Sequence, residues 1–443
     1  MARKKAQPET AEISTVTHDG RGIARIEGKT VFVAGALSGE TVRFLRRKRR
    51  RNYDEAELLE VLEPSSERVT PRCVAFGVCG GCTLQHQSQG RQRDIKSDAL
   101  REALQRIGGV TPEVWLEPVF DGGEEGGWHY RRRARLAVKD VPAKDRVLVG
   151  FRERHVPYVT DMHRCEVLAR PVDSLLDPLS ELVAKLSIRA RLPQIEVAIG
   201  DEQARLVFRV LEEPTAADRQ HFEAFAAAHG VTVAMQPGGL DTVYDLYPVE
   251  PPPLFYTLPE YDIELQFEAT DFVQVNADIN RRMVQHALTL LAPEPGDRVL
   301  DLFCGIGNFS LPLARLAGEV LGIEGEQRQV ARATANARRN GLDNVNFLAA
   351  DLDAIDGKEP WLKKQWQRLL LDPARSGALA VVQRIDKIKP QRIVYVSCHP
   401  ATLARDAAEL CARGYRLSAA GIIDMFPHTS HVESIAVFDK IKK

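Results

Sequence analysis

The sequence lacks the features that would place a chain of 443 residues in a specialised class of protein. No stretch approaches about 18 uninterrupted apolar residues, so we expect no transmembrane helix and no membrane partner. The polar segment over residues 1–8 has no apolar core of a secretory signal, and seven cysteines are too few for a disulfide scaffold. We therefore expect a cytoplasmic chain whose thiols stay reduced.

Net charge is also missing, because 60 Lys and Arg residues face 61 Asp and Glu residues. The chain as a whole thus gives no indication of a nucleic-acid partner, and only local charge could do so. No segment repeats at a fixed period, which excludes a solenoid. The hydrophobic fraction of 44% is that of an ordinary globular protein, and the length predicts about two to four domains.

The N-terminal region has the pattern of a small β-barrel. Residues 1–11 are predicted to be a disordered tail, and short alternating runs separated by turn residues over 12–63 predict a barrel of the OB type. Between the last two predicted strands, residues 46–51 are six consecutive cations. A charge run is usually a solvated loop, but on a small barrel we favour a nucleic-acid contact.

The middle of the chain combines mixed strands and helices with a cysteine cluster. Residues 64–93 and 110–261 are predicted to form an α+β domain, interrupted by a helix over 94–109 that packs on the C-terminal domain. Three cysteines lie within ten positions, Cys73, Cys79 and Cys82. This spacing suits a zinc ion and an iron–sulfur cluster equally well.

From residue 262 to 443, short apolar strands alternate with helices, which predicts a parallel sheet covered by helices on both faces. The strand over 298–302 runs into a turn that contains Gly305 and Gly307, where the backbone can approach a ligand closely. The third glycine of a dinucleotide-binding turn is absent, since Ser310 stands there.

Acidic residues end the first three strands of this region: Asp301, Glu324 and Asp351. Glu324 could accept the ribose hydroxyls of a nucleoside, and Asp351 an adenine amino group. Carboxylates would repel a pyrophosphate but tolerate a sulfonium cation. We therefore expect S-adenosylmethionine as the ligand.

Reactive side chains are predicted at the ends of the next two strands, where Asp372 and Cys398 should face the ligand crevice. His428, His431 and Glu433 follow as candidate bases. Carbon 5 of a pyrimidine is a poor nucleophile until a thiolate adds to carbon 6. Methyl transfer to carbon 5 then needs a thiolate, a group that polarises the ring and a base, and Cys398, Asp372 and Glu433 are of those types.

At these residues the sequence resembles the RNA uracil-5 methyltransferases, and within them the enzymes that act on 23S ribosomal RNA. The resemblance covers nearly the whole chain and is densest in five segments: Phe272–Asn276, Asp301–Phe309, Leu371–Arg375, Val396–Asp406 and Asp424–Thr429.

By this resemblance Cys398 is the nucleophile and Glu433 the base. The cofactor-contacting positions are Gln274, Phe303, Asn308, Glu324, Asp351 and Asp372, and Asp372 also positions the uracil. One departure is His399, which stands where the family has Asn after the nucleophile.

The resemblance also implies a TRAM domain for the N-terminal barrel and a four-cysteine site, Cys73, Cys79, Cys82 and Cys165, that holds a 4Fe-4S cluster. The fold class expected is thus an OB-like TRAM barrel, a central α+β domain with an iron–sulfur site and a C-terminal α/β Rossmann-like class I methyltransferase. The chain is expected to be a monomer whose partner is 23S ribosomal RNA.

Three other functions compete with this interpretation of the sequence. RNA cytosine-5 methyltransferases carry a cysteine in the fourth-strand motif, where this chain has Arg375. Uracil enzymes that act on transfer RNA or on another 23S site remain open, although the barrel and the cysteine cluster favour the first type. A non-catalytic RNA-binding assembly factor is disfavoured because Cys398 and Glu433 are both present.

Overall fold

The computed structural model describes residues 7–122 and 126–441. This chain divides into two compact units. Unit 1 contains residues 7–99, 152–158 and 426–431, and unit 2 contains residues 100–122, 126–151, 159–425 and 432–441. No helix in these described ranges is both long and apolar enough to cross a lipid bilayer.

Unit 1 is built around a six-stranded sheet whose inward side chains form an apolar core, with Val31, Val33, Val42 and Phe44 among its members. The spatial order is β1-β5-β6-β4-β3-β2. The strands are β1 (Glu9–Glu12), β2 (Thr15–Val16), β3 (Arg21–Ile26), β4 (Lys29–Ala34), β5 (Thr41–Arg49) and β6 (Tyr53–Glu63).

The prediction that residues 1–11 form a disordered tail is wrong for residues 9–11. Residues 9–11 belong to β1, which pairs antiparallel with β5 in the register Glu9↔Phe44. This pairing supplies backbone partners that the sequence of a short polar segment does not reveal. Residues 1–6 lie outside the described residues.

The cation run is not a loop, because residues 46–49 continue β5. Ion pairs join this part of β5 to acidic residues of β1 and β6: Arg46 to Glu9 (2.6 Å) and Asp54 (2.8 Å), Arg47 to Glu57 (2.5 Å) and Lys48 to Glu55 (3.2 Å). Opposite charges on neighbouring strands favour continued pairing. The exposed residues 49–51 form no ion pair within the described chain.

The cysteine segment groups with the barrel rather than with residues 110–261, which corrects the predicted central domain. Arg68 donates to both carboxylate oxygens of the buried Glu40 at 2.5 and 2.8 Å, and to the carbonyl of Gly35 at 2.7 Å. Although burial raises the pKa of Glu40, the hydrogen bonds from Arg68 and Leu37 outweigh it and hold that pKa below its usual value. A paired and fully hydrogen-bonded charge can thus stay buried in the barrel.

Helix α1 (Gln89–Ala103) begins five residues before the predicted start and ends in a wider helical turn, Leu104–Gly108. That turn packs against helix α9 (Pro400–Ala412) of unit 2. Strand β7 (Val114–Trp115) then pairs with β21 (Tyr415–Ile423) of the C-terminal sheet, so residues 114–115 belong to that sheet and not to the central one.

The central part of unit 2 is a second six-stranded sheet in the order β13-β12-β11-β10-β8-β9. A separate hairpin, β14 and β15, leads into the C-terminal region. The elements are β8 (Arg133–Val141), β9 (Arg146–Gly150), α2 (Leu176–Lys185), β10 (Gln194–Ile199), β11 (Ala204–Arg209), α3 (Ala216–His229), β12 (Thr232–Gln236), β13 (Tyr244–Tyr247), β14 (Leu254–Leu258) and β15 (Ile263–Phe267).

The C-terminal sheet has eight strands in the order β18-β17-β16-β19-β20-β22-β21-β7. The five predicted strands are confirmed and run parallel, whereas β22 is antiparallel to both of its neighbours. The remaining elements are α4 (Ala277–Leu291), β16 (Arg298–Leu302), α5 (Ser310–Ala314), β17 (Glu319–Glu324), α6 (Gln327–Arg339), β18 (Val345–Ala349), β19 (Arg368–Leu371), α7 (Leu379–Val382), α8 (Ile385–Ile388), β20 (Arg392–Ser397) and β22 (Glu433–Lys440).

Candidate active site

A tight turn between β16 and α5 forms one side of the candidate site. Gly305 and Gly307 have φ values of 54° and 99°, in the left-handed region that glycine adopts without a steric penalty. Phe303 has a φ of 64°, which is uncommon for a residue with a side chain. Its amide donates to the carbonyl of Ile323 at 2.8 Å, so pairing with β17 holds this backbone in place.

Asp301 lies beneath this turn and is completely buried. Its Oδ2 accepts a hydrogen bond from the Ser310 hydroxyl, while its Oδ1 has no hydrogen-bond partner among the described residues. Burial raises the pKa of Asp301 to about 8, and the charges of Asp372 and Glu324 add to the shift. The Asp301 carboxyl group under the turn is therefore mostly protonated, and uncharged, at neutral pH.

Glu324 and Asp351 follow adjacent parallel strands and lie at the same edge of the sheet. Glu324 accepts from the amide of Gly305 at 3.0 Å through Oε2, and from the amide of Gly325 at 2.8 Å through Oε1. Oε1 also accepts from the amide of Glu326 at 3.2 Å, so Oε2 is the oxygen that retains a lone pair for a ligand hydroxyl. Asp351 is exposed, and its Oδ1 accepts from the amide of Asp353 at 2.9 Å.

Asn308 has protein partners for both polar atoms of its side chain. It exchanges two hydrogen bonds of 2.9 Å with Asn280 of α4, and its Oδ1 also accepts from the hydroxyl of Tyr256 at 2.9 Å. Sequence reasoning missed Asn280 and Tyr256, since neither lies in the turn motif. Gln274 is half-buried in the segment that precedes α4.

The two reactive side chains are brought together by antiparallel pairing. Ser397, the last residue of β20, lies opposite Ser434 of β22. Cys398 directly follows this pair along the chain and Glu433 directly precedes it, so both lie at the same end of the antiparallel ladder. Cys398 is half-buried, and Glu433 is the buried first residue of β22.

Asp372 completes this edge, because it follows β19, the other neighbour of β20. Burial raises the pKa of Asp372 to about 7 and that of Glu433 well above its usual value. Burial also raises the pKa of Cys398 to about 11, with the charges of Glu433 and Asp372 adding to the shift and that of Arg375 opposing it. The site can therefore hold protons on groups that are ionised in water.

The other predicted site residues are divided between the two units of the chain. His428 and His431 belong to unit 1, where the carbonyl of His428 accepts from the amides of Thr83 and Leu84. Cys73, Cys79 and Cys82 are also in unit 1, whereas Cys165 is in unit 2. Within residues 7–122 and 126–441, no three or more His, Cys, Asp or Glu side chains are grouped so as to hold a metal ion.

Comparison with known proteins agrees with this geometry. The family described as tRNA (Uracil-5-)-methyltransferase matches residues 257–441, and the TRAM domain matches residues 3–59. The archaeal tRNA (uracil-54, C5)-methyltransferase of Pyrococcus abyssi, solved with S-adenosyl-L-homocysteine, has the same fold, with a TM-score of 0.73 at 24% identity over 97% of this chain and 100% of that one.

Curated relatives extend over the full length of the chain. A protein of Alkalilimnicola ehrlichii is 52% identical over 99% of this chain and 98% of its own, and one of Nitrosococcus oceani is 51% identical over 99% and 97%. One of Alcanivorax borkumensis is 48% identical over all of both chains. All three are named 23S rRNA (uracil(1939)-C(5))-methyltransferase RlmD.

The raised pKa of Cys398 predicts that its alkylation accelerates with pH. Only the thiolate reacts, and below a pKa of about 11 its fraction grows about tenfold for each pH unit. Iodoacetamide labelling of the Cys398 peptide, followed by mass spectrometry, should therefore speed up about tenfold per unit between about pH 7 and about pH 9. Glutathione in the same tube serves as the reference thiol, and a rate that levels off below about pH 8 would contradict the raised pKa.

Proposed function

The chain belongs to the RlmD family of 23S rRNA (uracil-C5)-methyltransferases, which are S-adenosylmethionine-dependent transferases, and we propose that it methylates its uridine through a covalent adduct of Cys398. The observation that carries this proposal is the register Ser397↔Ser434, with Cys398 and Glu433 at the same end of the β20–β22 pair and Asp372 directly after the neighbouring strand β19. By the names of the relatives, the target is the uridine equivalent to position 1939.

The residues at the sheet edge fit S-adenosylmethionine in their chemistry. Glu324, Asp351 and Asp372 provide carboxyl oxygens, and Asp301 has a buried oxygen with no partner in the described chain. Acidic groups of this kind suit a sulfonium cation and ribose hydroxyls. We propose that they hold the cofactor with Gln274 and Phe303. Asn308 acts there through the turn that its pairing with Asn280 fixes. When bound, the cofactor supplies an electrophilic methyl group.

The Cys398 thiolate adds to carbon 6 of the uracil, and the electron pair of the 5,6 double bond moves to carbon 5 and the carbonyl at carbon 4. Asp372 hydrogen-bonds the ring and positions it. Carbon 5 then forms its bond to the methyl group as the bond between that methyl group and the sulfonium sulfur breaks, and the electron pair of the broken bond stays on the sulfur. Glu433 removes the proton left on carbon 5, the double bond re-forms, and the thiolate leaves carbon 6, so that Cys398 is regenerated.

The raised pKa values suit these roles. Once Glu433 has lost its own proton to solvent, its buried carboxylate is a stronger base than one in water, which favours abstraction of the carbon 5 proton. A thiol whose pKa is high is a better nucleophile once it is ionised, although less of it is ionised in the free protein. We infer that the thiolate forms when the bound RNA and cofactor change the charge around Cys398.

We propose that Cys73, Cys79, Cys82 and Cys165 hold a 4Fe-4S cluster. The support is the resemblance to the family and the supply of four thiols, the ligand type that such clusters use. No metal-holding group is formed by these side chains as the structure describes them, so no step of the reaction is assigned to the cluster. Methyl transfer to carbon 5 needs no electron, and the role we propose is structural or in RNA contact.

We also propose that the barrel of unit 1 binds the RNA substrate through the end of the cation run. The ion pairs of Arg46, Arg47 and Lys48 neutralise half of the run. The side chains of residues 49–51 are exposed at and just beyond the end of β5, and they form no ion pair with another described residue. These three arginines are therefore the part of the run available for phosphates.

We propose that the enzyme acts as a cytoplasmic monomer.

Cys398→Ala should abolish methyl transfer, because it removes the thiol that lies with Glu433 at the end of the β20–β22 pair. Glu433→Gln should instead stop the reaction after methylation and accumulate RNA that is covalently bound to Cys398. Labelled methyl transfer to 23S, 16S and transfer RNA, run beside denaturing gels, measures both effects. Methylation by Cys398→Ala would refute the covalent mechanism, and methylation of transfer RNA alone would favour the second uracil-5 candidate.

Protein purified without oxygen should contain about four iron and four sulfide ions per chain and be brown. Replacing Cys79 with Ser should remove most of this iron. Cys411→Ser is the matched control, since Cys411 lies in helix α9 and should leave the iron unchanged. Stoichiometric zinc in place of iron under these conditions would contradict the cluster.

Neutralising Arg49, Arg50 and Arg51 with glutamine should weaken RNA binding and flatten its dependence on salt by up to about three counterions. The matched control replaces Arg47 and Glu57 together with glutamine, which removes an ion pair and no net charge. Binding isotherms over a range of salt concentrations measure the slope. A slope equal to that of the unaltered protein would mean that the three arginines are only solvated.

A further inference from the structure

Asp406 is a completely buried carboxylate on helix α9, the helix that begins two residues after Cys398. Its Oδ2 accepts from the hydroxyl of Tyr395 and from the amide of Ala378, both at 2.7 Å. Its Oδ1 accepts from Nε and Nη2 of Arg405 at 2.8 Å. These hydrogen bonds satisfy a charge that would otherwise be costly to bury.

The partners of Asp406 lie on the segment that carries Asp372. The amide of Ala378 ends the loop after β19, and Nη2 of Arg405 donates to the carbonyl of Ser376 at 2.8 Å. Gly377 has a φ of 80°, and a Cβ on it would lie 2.7 Å from Oδ2 of Asp406. The loop thus approaches the carboxylate so closely that only glycine fits.

Tyr395 adds the third segment to this network. It is a fully buried residue of β20, and its backbone pairs with Leu371 on one side and Ala436 on the other. Its hydroxyl also lies 3.0 Å from the amide of Ala378. One carboxylate therefore connects the strand that precedes Cys398, the helix that follows it and the loop that follows Asp372.

We propose that Asp406, with Tyr395, is a positioning residue that fixes the loop of Asp372 and Arg375 relative to Cys398. This inference rests on the proposed function, which assigns these side chains to the uracil site. Asp406 touches neither substrate nor cofactor; it acts by holding the far end of the loop, residues 376–378. A small displacement of reacting groups costs far more in turnover than in binding.

The proposal predicts that Asp406→Asn lowers the turnover rate but leaves the binding of RNA and of S-adenosylmethionine nearly unchanged. The amide oxygen can still accept the hydrogen bonds of one side, but the amide nitrogen then faces donors, either those of Arg405 or those of Tyr395 and Ala378. We expect kcat to fall by about 10²-fold, with the KM for RNA and the Kd for S-adenosylmethionine within about twofold of those of the unaltered enzyme. Glu409→Gln is the matched control, because the Glu409 side chain of the same helix pairs with Arg413, the residue that directly follows the helix.

Hydrogen exchange of the peptide that spans residues 372–380 reports the loop without any methylation assay. It should exchange faster in Asp406→Asn and at the same rate as the unaltered enzyme in Glu409→Gln. If Asp406→Asn does not fold, Tyr395→Phe removes a single donor and leaves the carboxylate in place. It should lower kcat by about fivefold.

The outcomes separate the two proposals. Faster exchange with kcat within about twofold of the unaltered value would overturn the positioning role, and so would a fall in RNA binding equal to the fall in kcat. Unaltered enzyme that methylates no RNA would instead refute the proposed function. In that case the hydrogen-exchange data alone test whether Asp406 holds the loop. Unchanged exchange of residues 372–380 in both Asp406→Asn and Tyr395→Phe would then overturn the positioning role.

Discussion

The antiparallel pairing of β22 with β20 is the constraint on which the candidate site depends. Five parallel strands can bring their carboxyl ends to one edge, but only an inserted antiparallel strand can bring its first residue to that same edge. The register Ser397↔Ser434 brings Glu433 and Cys398 to the same end of this pair. Because side chains alternate between the two faces of a strand, a slip of one residue would turn Glu433 away from the thiol.

Burial is the second consequence of this pairing. Strands β20 and β22 lie inside the sheet, where Glu433 and Asp301 are buried and Asp372 is half-buried at one edge. Burial and mutual repulsion raise the pKa values of such carboxyl groups. Burial of these carboxyl groups lowers the stability of the fold, because apolar side chains of similar size at the same positions would stabilise it more.

Sequence patterns predicted the parts of the structure that depend on local rules. The five parallel strands, the glycine turn and the strand-end positions of Glu324, Asp372 and Cys398 follow from alternation of apolar runs and from the topology of open sheets. The partners of Asn308 and Asp406 could not be found in this way, because Asn280 and Ala378 reach them through tertiary packing. Sequence patterns placed residues 46–51 between two strands, whereas residues 46–49 continue β5, because ion pairs with acidic residues of β1 and β6 favour continued pairing.

The central sheet has a part in the site as well, through the segment that carries Gln274. Arg133 of β8 donates to the carbonyl of Ala269, and the amide of Arg132 donates to the carbonyl of Val275 at 2.8 Å. Asn276 then caps helix α4 by accepting from the amide of Ile279 at 3.2 Å. The backbone on either side of Gln274 is therefore fixed by β8 and by α4. Because these contacts leave the segment little freedom, the position of Gln274 depends on the central sheet as well as on α4.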